Sequence, residues 1–525
     1  MTRLDRRTYF LSRRARYSRL VIARHPGFAA LLAGFLSATG FAPLQWWPVT
    51  LACFAFFILL AEQAPDRRAA FKRGWLFGVG HFTMGLNWIA HAFTFQDAMP
   101  HWFGYGAVVL LSLYLAVYPG LAMLAGWWLR RRFALTGVAS IAALAAMWIL
   151  SEMLRATLFT GFAWNPLGVV LLPTGIAVAA TVIGTYGLGA IVILSASALL
   201  SLARRDVKSF GVIALPVLTL ALWGLLRPSP LPGTVPIRIV QPNIGQQDKH
   251  IDAFEMQNYE KLKRLSGGAS DRGRLLFWPE AAIPAFLDME PLWRYRLALL
   301  LGPNDLLMTG GTKVYFKNND YETLSGANNS LWVMTPDGRL TARYDKSHLV
   351  PYGEYLPMRQ ILQPIGLSRL VPGDVDFWPG PGARSLALPP APGRPPLKMG
   401  VQICYEIIFS GHVIDARNRP DFLFNPSNDA WFGSWGPPQH LAQARLRAIE
   451  EAMPVIRSTP TGVSAVVDAH GRVLNSIPHQ QAGYLDAVLP RAASATLFSR
   501  IGNFAPILLA LLLAGLAIAT GRARR

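Results

Sequence analysis

Three polar side chains follow strand-like runs in the second half of the chain, and together their types could transfer an acyl group. Glu280 follows Leu-Leu-Phe-Trp-Pro, Lys346 follows Leu-Thr-Ala-Arg-Tyr-Asp, and Cys404 follows Lys-Met-Gly-Val-Gln-Ile. Because the carboxyl ends of strands in an open α/β sheet line a shared crevice, we expect the three residues to meet at the rim of a single sheet. A carboxylate, an ammonium group and a thiol in one crevice can act as base, charge stabiliser and nucleophile.

The thiol needs help to attack a carbonyl carbon, since a free cysteine with a pKa of about 8.5 is only slightly ionised at neutral pH. Glu280 is expected to take the thiol proton and later return it to the leaving group. Lys346 is expected to lower the thiol pKa and to stabilise the oxyanion of the tetrahedral intermediate, a role whose removal typically costs about 10²–10³ in rate. The backbone N–H of Tyr405, directly after the nucleophile, is a candidate second oxyanion donor.

Other interpretations of these residues are weaker. Cys404 alone could be a buried structural thiol, because free cysteines pack like small hydrophobic side chains. His348 suggests a Cys-His pair as in papain-like proteases, but no third residue that would orient it is evident. The chain has only two cysteines, Cys53 and Cys404, and it lacks His-Glu-x-x-His, Walker and Cys-x-x-Cys patterns. We therefore expect no metal and no cofactor.

A block of alternating strands and helices carries these residues, and it predicts an α/β domain between residues 228 and 500 after a proline-rich linker. The predicted helices are Asp252–Leu265, Pro291–Leu301 and Pro438–Ala452. The predicted strands are Ile237–Gln241, Leu275–Trp278, Asp305–Gly310, Ser330–Thr335, Leu340–Tyr344, Leu397–Cys404, Phe422–Asn425, Val463–Asp468 and Val473–Ile477.

The composition of the whole chain, with 52% hydrophobic and only 15% charged residues, is that of a membrane protein. Crossing a bilayer takes about 20 apolar residues, and fewer where a helix is short or the bilayer thins. Eight segments are candidates for transmembrane helices: Gly27–Pro43, Pro48–Gln63, Gly74–Phe95, Phe103–Leu129, Gly137–Met153, Val169–Ala203, Phe210–Leu226 and Ile501–Thr520. The predicted fold is therefore a membrane α-helical bundle joined to an α/β domain.

Linkers rich in lysine and arginine alternate along the chain with linkers poor in them, as the positive-inside rule requires of a protein that crosses the membrane several times. The formal net charge of +20 is thus explained by cytoplasmic loops, and we expect no nucleic-acid partner. The predicted organisation is a cytoplasmic tail at 1–26, transmembrane helices 1–7 within 27–227, a periplasmic domain at 228–500, helix 8 at 501–520 and a cytoplasmic tail at 521–525.

The motifs around the three polar residues resemble the Glu-Lys-Cys signature of the nitrilase superfamily. With the flanking apolar segments, the whole chain is similar to the apolipoprotein N-acyltransferase family. The resemblance is carried by the run Trp278-Pro279-Glu280, the segment from Tyr344 to Tyr355, the run Cys404-Tyr405-Glu406, and the Ser-Asn-Asp-Ala-Trp-Phe-Gly loop from Ser427 to Gly433.

The resemblance implies an α-β-β-α sandwich in a bacterial inner-membrane, multi-pass enzyme. It implies Glu280, Lys346 and Cys404 as the catalytic triad, with Glu354 as a second essential acid near Lys346 and with Tyr405 and Glu406 as supporting residues. The implied donor is a membrane phospholipid such as phosphatidylethanolamine, and the implied acceptor is the α-amine of a diacylglyceryl apolipoprotein. One departure is the run from Ser458 to Gly462, where the family commonly has Asn-Asn-Gly.

Two aromatic residues and two rival functions complete the prediction. Trp431 and Phe432 look exposed beside the membrane, and we interpret them as a lid that contacts lipid.

A membrane-anchored nitrilase-type amidase would use the same three residues with water as acceptor. A transporter with an inactive periplasmic domain is disfavoured, because the apolar segments lack the buried charge pairs of ion-coupled transporters.

Overall fold

The computed structural model describes residues 25–523 except 96–99, 229, 231, 250, 272, 318–322 and 366–374. The tail predicted for residues 1–26 lies almost entirely outside the described residues, and so do the last two arginines of the tail predicted for 521–525. Helices and strands are numbered below in chain order among the described residues.

A helical segment comes first and is closed by one helix at the far end of the chain. Its helices are α1 Pro26–Ser37, α2 Trp47–Glu62, α3 Arg67–Gly85, α4 Ile89–Ala92, α5 Phe103–Leu115, α6 Val117–Arg132, α7 Gly137–Thr157, α8 Ala180–Ala203 and α9 Val207–Leu226, with α15 Leu497–Ile501 and α16 Phe504–Ala523 after the sheet domain. These helices overlap every predicted apolar segment, although their ends differ by several residues.

Five helical stretches are long and apolar enough to cross a membrane by length and composition. They are Phe103–Arg132, Gly137–Thr160, Gly175–Ala203, Val207–Leu226 and Phe504–Ala523, and the apolar stretches Pro26–Gly40 and Trp47–Glu62 are shorter. The third predicted segment falls on α3, whose first turns carry Arg67, Arg68, Lys72 and Arg73. A count of eight transmembrane helices therefore stays a prediction.

Small residues let the first helices of this segment pack closely. A Cβ atom on Gly34 would lie 1.9 Å from the carbonyl oxygen of Phe77, and one on Gly80 would lie 2.1 Å from that of Leu31. Helices α1 and α3 therefore meet backbone to backbone, as small residues allow between membrane helices. Asp66 caps α3 by accepting a hydrogen bond from the backbone N–H of Ala69 at 2.8 Å.

Two six-stranded sheets form the domain between α9 and α15. The first has the strand order β12-β1-β2-β3-β4-β5 and the second β11-β10-β9-β8-β7-β6. The strands are β1 Pro236–Gln241, β2 Leu275–Phe277, β3 Leu306–Phe316, β4 Leu324–Met334, β5 Leu340–Asp345, β6 Ser385–Leu388, β7 Leu397–Val401, β8 Phe422–Pro426, β9 Val455–Ser458, β10 Ser464–Val467, β11 Val473–Ile477 and β12 Gly483–Val488. All nine predicted strands are present, and β6, β9 and β12 were missed.

The two sheets stack with helices outside each of them. A core between the sheets joins Ile239 and Phe277 of the first sheet to Val401 and Phe424 of the second. The remaining helices of the domain are α10 Gln246–Lys249, α11 Glu255–Ser266, α12 Pro291–Ala298, α13 Arg359–Leu362 and α14 Gly436–Glu451. Helices α11 and α12 cover the outer side of the first sheet, and α14 covers that of the second. This is the α-β-β-α sandwich that the resemblance implied.

Buried hydrogen bonds connect the helical segment to α14. Glu450 accepts hydrogen bonds from the backbone N–H and the hydroxyl of Thr185, both at 2.7 Å. The indole of Trp164 donates to Gln439 Oε1 at 2.8 Å. Such contacts therefore connect both ends of α14 to the helical segment.

Candidate active site

Glu280 and Lys346 meet in a buried cluster at one edge of the first sheet. Lys346 Nζ lies 3.6 Å from Glu280 Oε1 and 3.0 Å from a carboxylate oxygen of Glu354. Asn329 donates hydrogen bonds to both acids, at 2.7 Å to Glu280 and 2.9 Å to Glu354. Among the described residues no donor reaches Glu280 Oε2. One oxygen of this acid is thus held by protein, and the other is left for a proton carried by a reactant.

Cys404 comes from the second sheet, so the expectation that all three residues share the rim of one sheet was wrong. Glu280 follows β2 and Lys346 follows β5 in the first sheet, whereas Cys404 lies beyond β7 in the second. Strands β2 and β5 run in the same direction, because β3 is parallel to β2 while β4 is antiparallel to both β3 and β5. The crevice therefore opens between the two sheets, and each sheet supplies part of the cluster.

Cys404 stands at a sharp turn and not at the end of a strand as predicted. Strand β7 ends at Val401, and a 3₁₀ turn runs over Cys404–Ile408. The φ angle of Cys404 is +52°, a left-handed conformation that a residue with a side chain adopts at a cost. The surrounding hydrogen bonds must therefore hold this turn in place.

The charges of the cluster act on the thiol in opposite directions. Burial and then the negative charge of Glu280 raise the pKa of Cys404 well above its ordinary value, while Lys346 lowers it. Burial alone would lower the pKa of Lys346, but Glu354 and Glu280 outweigh it and raise this pKa. Lys346 is thus a permanent cation beside a neutral thiol. The thiol proton must consequently leave during the attack, because no preformed thiolate is expected.

Glu406 is hydrogen-bonded both to the residues around Lys346 and to the residue before the turn at Cys404. Its Oε1 accepts hydrogen bonds from the backbone N–H of Ser347 at 2.7 Å, from that of His348 at 3.1 Å and from the hydroxyl of Tyr344 at 2.9 Å. Its Oε2 accepts from the backbone N–H of Ile403 at 2.7 Å. Burial raises the pKa of this carboxyl against these hydrogen bonds. Glu406 is therefore a positioning residue between the two sheets.

Replacing Glu406 by glutamine should weaken this link. An amide cannot accept on both sides, so either the backbone N–H of Ile403 or the donors around Ser347 lose a partner, at a cost of about 1–3 kcal/mol. We expect a lower midpoint of thermal unfolding in detergent and slower acylation of Cys404. Glu260→Gln, at an exposed acid, is the matched control. An unchanged midpoint for Glu406→Gln would contradict the assigned role.

Tyr405 and His348 connect the turn to the helical segment. The hydroxyl of Tyr405 donates to the carbonyl oxygen of Gly161 at 3.4 Å. The His348 ring stacks on Phe409, with ring centroids 3.8 Å apart, and burial lowers the pKa of His348 to about 4. A neutral ring held by stacking favours a packing role for His348 over a Cys-His pair.

Trp431 and Phe432 are half-buried, so the expectation that they are exposed was wrong. The ring of Phe432 lies 4.7 Å from that of Trp88 and 5.2 Å from that of Trp164, between centroids. The ring of Trp431 lies 5.6 Å from that of Phe95. Phe432 also packs against the core that contains Cys404. Phe432 thus packs between rings of the helical segment and the core that contains Cys404. The role of Trp431 and Phe432 as a lid stays a prediction.

Sequence reasoning missed a fully buried charged network behind Cys404. Arg457 donates to both carboxylate oxygens of Asp429, at 2.7 and 2.6 Å. His440 Nδ1 lies 2.9 Å from Asp429, and its Nε2 lies 3.0 Å from the carbonyl oxygen of Cys404. The available signal was polar residues inside apolar, strand-like or helical runs, which need partners when buried.

The segment Ser458–Gly462, whose sequence departs from the family pattern, packs against this network. The hydroxyl of Ser458 donates to the carbonyl oxygen of Val240 at 2.8 Å. A Cβ atom on Gly462 would lie 2.4 Å from a carboxylate oxygen of Asp429. Glycine is thus required there by the close approach of the acid, and the segment links β9 to the first sheet.

The two halves of the chain match different family models. The model described as "Apolipoprotein N-acyltransferase N-terminal domain" matches residues 33–198, and "Carbon-nitrogen hydrolase" matches residues 237–497. Two six-stranded sheets between helices, with a carboxylate, an ammonium group and a thiol in the crevice between them, agree with the second match. The chain is thus a nitrilase-superfamily protein joined to apolar helices.

Curated relatives extend over nearly the whole chain. An apolipoprotein N-acyltransferase of Rhodopseudomonas palustris is 36% identical over 509 residues, which cover 92% of this chain and 93% of the relative. One of Bradyrhizobium diazoefficiens is 34% identical over 520 residues, covering 94% and 95%. Among solved structures, an amidase from Nesterenkonia sp. AN1 has a TM-score of 0.32 at 15% identity, covering 50% of this chain and 93% of that one.

The chain belongs to the apolipoprotein N-acyltransferase family. It is therefore an acyltransferase, which confirms the resemblance seen in the sequence and decides against both the amidase and the transporter alternatives.

Proposed function

We propose that the enzyme transfers an acyl chain from a glycerophospholipid, such as phosphatidylethanolamine, to the α-amine of the N-terminal diacylglyceryl cysteine of apolipoproteins. Cys404 is the nucleophile, Glu280 is the base and Lys346 stabilises charge. The observation that supports the proposal is the burial of all three residues in one charged cluster, where Glu280 raises and Lys346 lowers the pKa of the Cys404 thiol. No donor among the described residues reaches Glu280 Oε2. A neutral thiol requires a neighbouring base before it can attack an ester.

In the first half-reaction, Glu280 takes the thiol proton as the sulfur attacks the ester carbonyl carbon. The carbonyl oxygen becomes an oxyanion, which Lys346 and the backbone N–H of Tyr405 stabilise. The carbon–oxygen bond then breaks, and Glu280 returns the proton to the departing glycerol oxygen. The products are a thioester on Cys404 and a lysophospholipid, so the protonation state of Glu280 is restored.

In the second half-reaction, the amine of the acceptor attacks the thioester. Glu280 takes a proton from the attacking nitrogen, the carbon–sulfur bond breaks, and the proton passes to the sulfur. Amide formation regenerates the thiol, which makes the cycle ping-pong. Water would hydrolyse the thioester, and so the aromatic rings of Trp431 and Phe432 are proposed to act as a lid that keeps the site dry and contacts the acyl chain.

Location in the bacterial inner membrane fits two lipid substrates. The eight apolar segments are proposed to span the bilayer, with 27–227 holding seven and 501–520 the eighth, and with both tails in the cytoplasm. Residues 228–500 then face the periplasm, at the outer surface of the bilayer. A lipid that stays in the membrane avoids the cost of extracting its chain, about 0.8 kcal/mol per CH₂ group.

Intact-mass measurement of the full-length enzyme tests the chemistry. After incubation with phospholipid and no acceptor, the protein should gain the mass of one acyl group, and hydroxylamine should remove it. Cys404→Ala should show no gain, because the thioester has no sulfur to form on. Cys53→Ala is the matched control at the other cysteine and should acylate like the wild type. A wild-type protein that gains no acyl mass would contradict the proposal.

A further inference from the structure

Asn428 lies at the same end of the second sheet as Cys404. Strands β7 and β8 are parallel neighbours, with Val401 opposite Phe424, and Cys404 follows β7 while Asn428 follows β8. Asn425, near the end of β8, donates through Nδ2 to the carbonyl oxygen of Cys404 at 3.4 Å. Burial raises the pKa of the Cys404 thiol most, while a hydrogen bond from the backbone N–H of Asn428 lowers it. Asn428 therefore adjoins the nucleophile.

The side chain of Asn428 connects the two sheets. Its Nδ2 donates to Gln246 Oε1 at 2.8 Å, and Gln246 lies in α10, which follows β1 of the first sheet. Both residues are buried, with exposed fractions of 7% for Asn428 and 6% for Gln246. Because Gln246 holds the amide nitrogen, the amide cannot turn freely and its oxygen faces away from Gln246.

Two buried acceptors beside the thiol lack a donor among the described residues. They are Asn428 Oδ1 and Glu280 Oε2. Glu280 acts on the thiol of Cys404 through its charge, and Asn428 acts on it through its backbone N–H. A buried acceptor without a donor is costly, and native structures rarely keep one. Their presence beside the nucleophile indicates that a reactant brings the missing donors.

Only the second of the two proposed half-reactions brings two hydrogens to the reacting atoms. In the first, the sulfur gives its single proton to Glu280, and the ester group that it attacks carries no N–H. In the second, the neutral α-amine attacks through its lone pair and carries two hydrogens. Glu280 takes one, which passes to the sulfur when the carbon–sulfur bond breaks, and the other stays on the nitrogen in the amide product. That second N–H needs an acceptor throughout the step.

We propose that Asn428 Oδ1 accepts a hydrogen bond from the second N–H of the acceptor α-amine, so that Asn428 selects amine over alcohol acceptors. The inference rests on the proposed function and assigns a residue to its second half-reaction. An alcohol, such as the free hydroxyl of the lysophospholipid, has a single O–H, which Glu280 takes, and it leaves Asn428 without a donor. A site that hydrogen-bonds its substrate discriminates against an analogue that lacks the bonding group. Asn428 thus favours forward transfer over return of the acyl chain to the lysophospholipid.

The test follows the acyl-enzyme of the full-length protein by intact mass. The enzyme is acylated with phospholipid, freed of donor and mixed with one of three acceptors: a diacylglyceryl-cysteine peptide with a primary α-amine, the same peptide with an N-methylated α-amine, or a lysophospholipid. Loss of acyl mass in buffer alone is subtracted. Asn428→Leu should slow transfer to the primary amine about 10- to 100-fold, because the attacking nitrogen gains positive charge and loses a hydrogen bond. Transfer to the other two acceptors should slow far less, since neither has a second hydrogen.

A second variant keeps the fold intact while it removes the same acceptor. Asn428→Leu alone leaves Gln246 Oε1 without its donor, whereas replacing both partners by apolar side chains of similar size is nearly neutral. The double variant Asn428→Leu with Gln246→Leu should therefore unfold in detergent near the wild-type temperature and show the same selective loss. Asn418→Leu is the matched control, because Asn418 accepts from Lys398 Nζ at 2.6 Å at an exposed site and should treat all three acceptors as wild type does.

Two outcomes would overturn the role of Asn428. Equal slowing of transfer to all three acceptors, in the single and the double variant, would show that Asn428 acts only on the thiol or on the fold. Unchanged transfer to the primary amine would remove the contact. Failure of the proposed function looks different, because wild type would then gain no acyl mass on Cys404 before any acceptor is added.

Discussion

Replacing Lys346 by methionine should lower the rate of thioester formation on Cys404 by about 10²–10³-fold or more. Lys346 is 1% exposed, and its Nζ lies within 3.6 Å of two carboxylates. In the variant the cation that pairs with Glu280 and Glu354 beside the thiol is gone, and so is the cation that stabilises the oxyanion. The measurement is the time course of acyl-enzyme mass with phospholipid, without acceptor.

A stability control is necessary, since removing one partner of a buried ion pair costs about 3–5 kcal/mol. Thermal unfolding in detergent shows whether the variant is folded when it is assayed. Lys313→Met is the matched control, because Lys313 pairs with Asp288 at a half-buried position elsewhere on the first sheet and should leave the acylation rate near wild type. A folded Lys346→Met enzyme that acylates at the wild-type rate would exclude the assigned role.

The order of elements was largely predictable from the sequence because each strand is a short apolar run next to a turn. Two of the three missed strands lack that pattern. Strand β9, Val455–Ser458, is fully buried yet contains Arg457, and β12, Gly483–Val488, alternates around Asp486. An arginine inside an apolar run argues against a buried strand unless an acidic partner for it is known. The partner here is Asp429, which lies 28 residues earlier in the chain. Tertiary partners decide such cases.

The positions of Glu280, Lys346 and Cys404 after strands were also predictable, but their arrangement in space was not. Glu280, Lys346 and Cys404 each follow a strand, which the local pattern shows. That Cys404 belongs to a second sheet depends on strand order, which follows from packing between distant segments.

The left-handed turn at Cys404 requires support from residues that sequence reasoning did not identify. His440 Nε2 lies 3.0 Å from the Cys404 carbonyl oxygen, which can only accept, so this nitrogen carries a proton. Burial and then Arg457 lower the pKa of His440, while Asp429 raises it. The Nδ1 atom of His440 faces Asp429 Oδ1 at 2.9 Å and Arg457 Nη2 at 3.0 Å. Asp429 and Arg457 together thus hold the direction of the ring.

Replacing Arg457 by methionine should accordingly lower the free energy of unfolding by about 3–5 kcal/mol, because Asp429 stays buried without its partner. Burial alone would raise the pKa of Asp429, but Arg457 and then His440 outweigh it and lower the pKa to about 2. The change is measured as the shift in thermal or denaturant unfolding in detergent. Arg339→Met is the matched control, since Arg339 forms an exposed pair with Asp337 and should change stability by less than about 1 kcal/mol.

The double variant Arg457→Met with Asp429→Asn separates stability from positioning. Removing the acid charge eliminates the unpaired buried carboxylate, so part of the lost stability should return. Acylation of Cys404 should stay slow, because His440 has lost the two charged side chains that hold its ring and the Cys404 carbonyl loses a fixed hydrogen bond. Recovery of both stability and acylation in the double variant would instead mean that the network only stabilises the fold. Recovery of stability alone would identify Arg457 and His440 as positioning residues for the nucleophile.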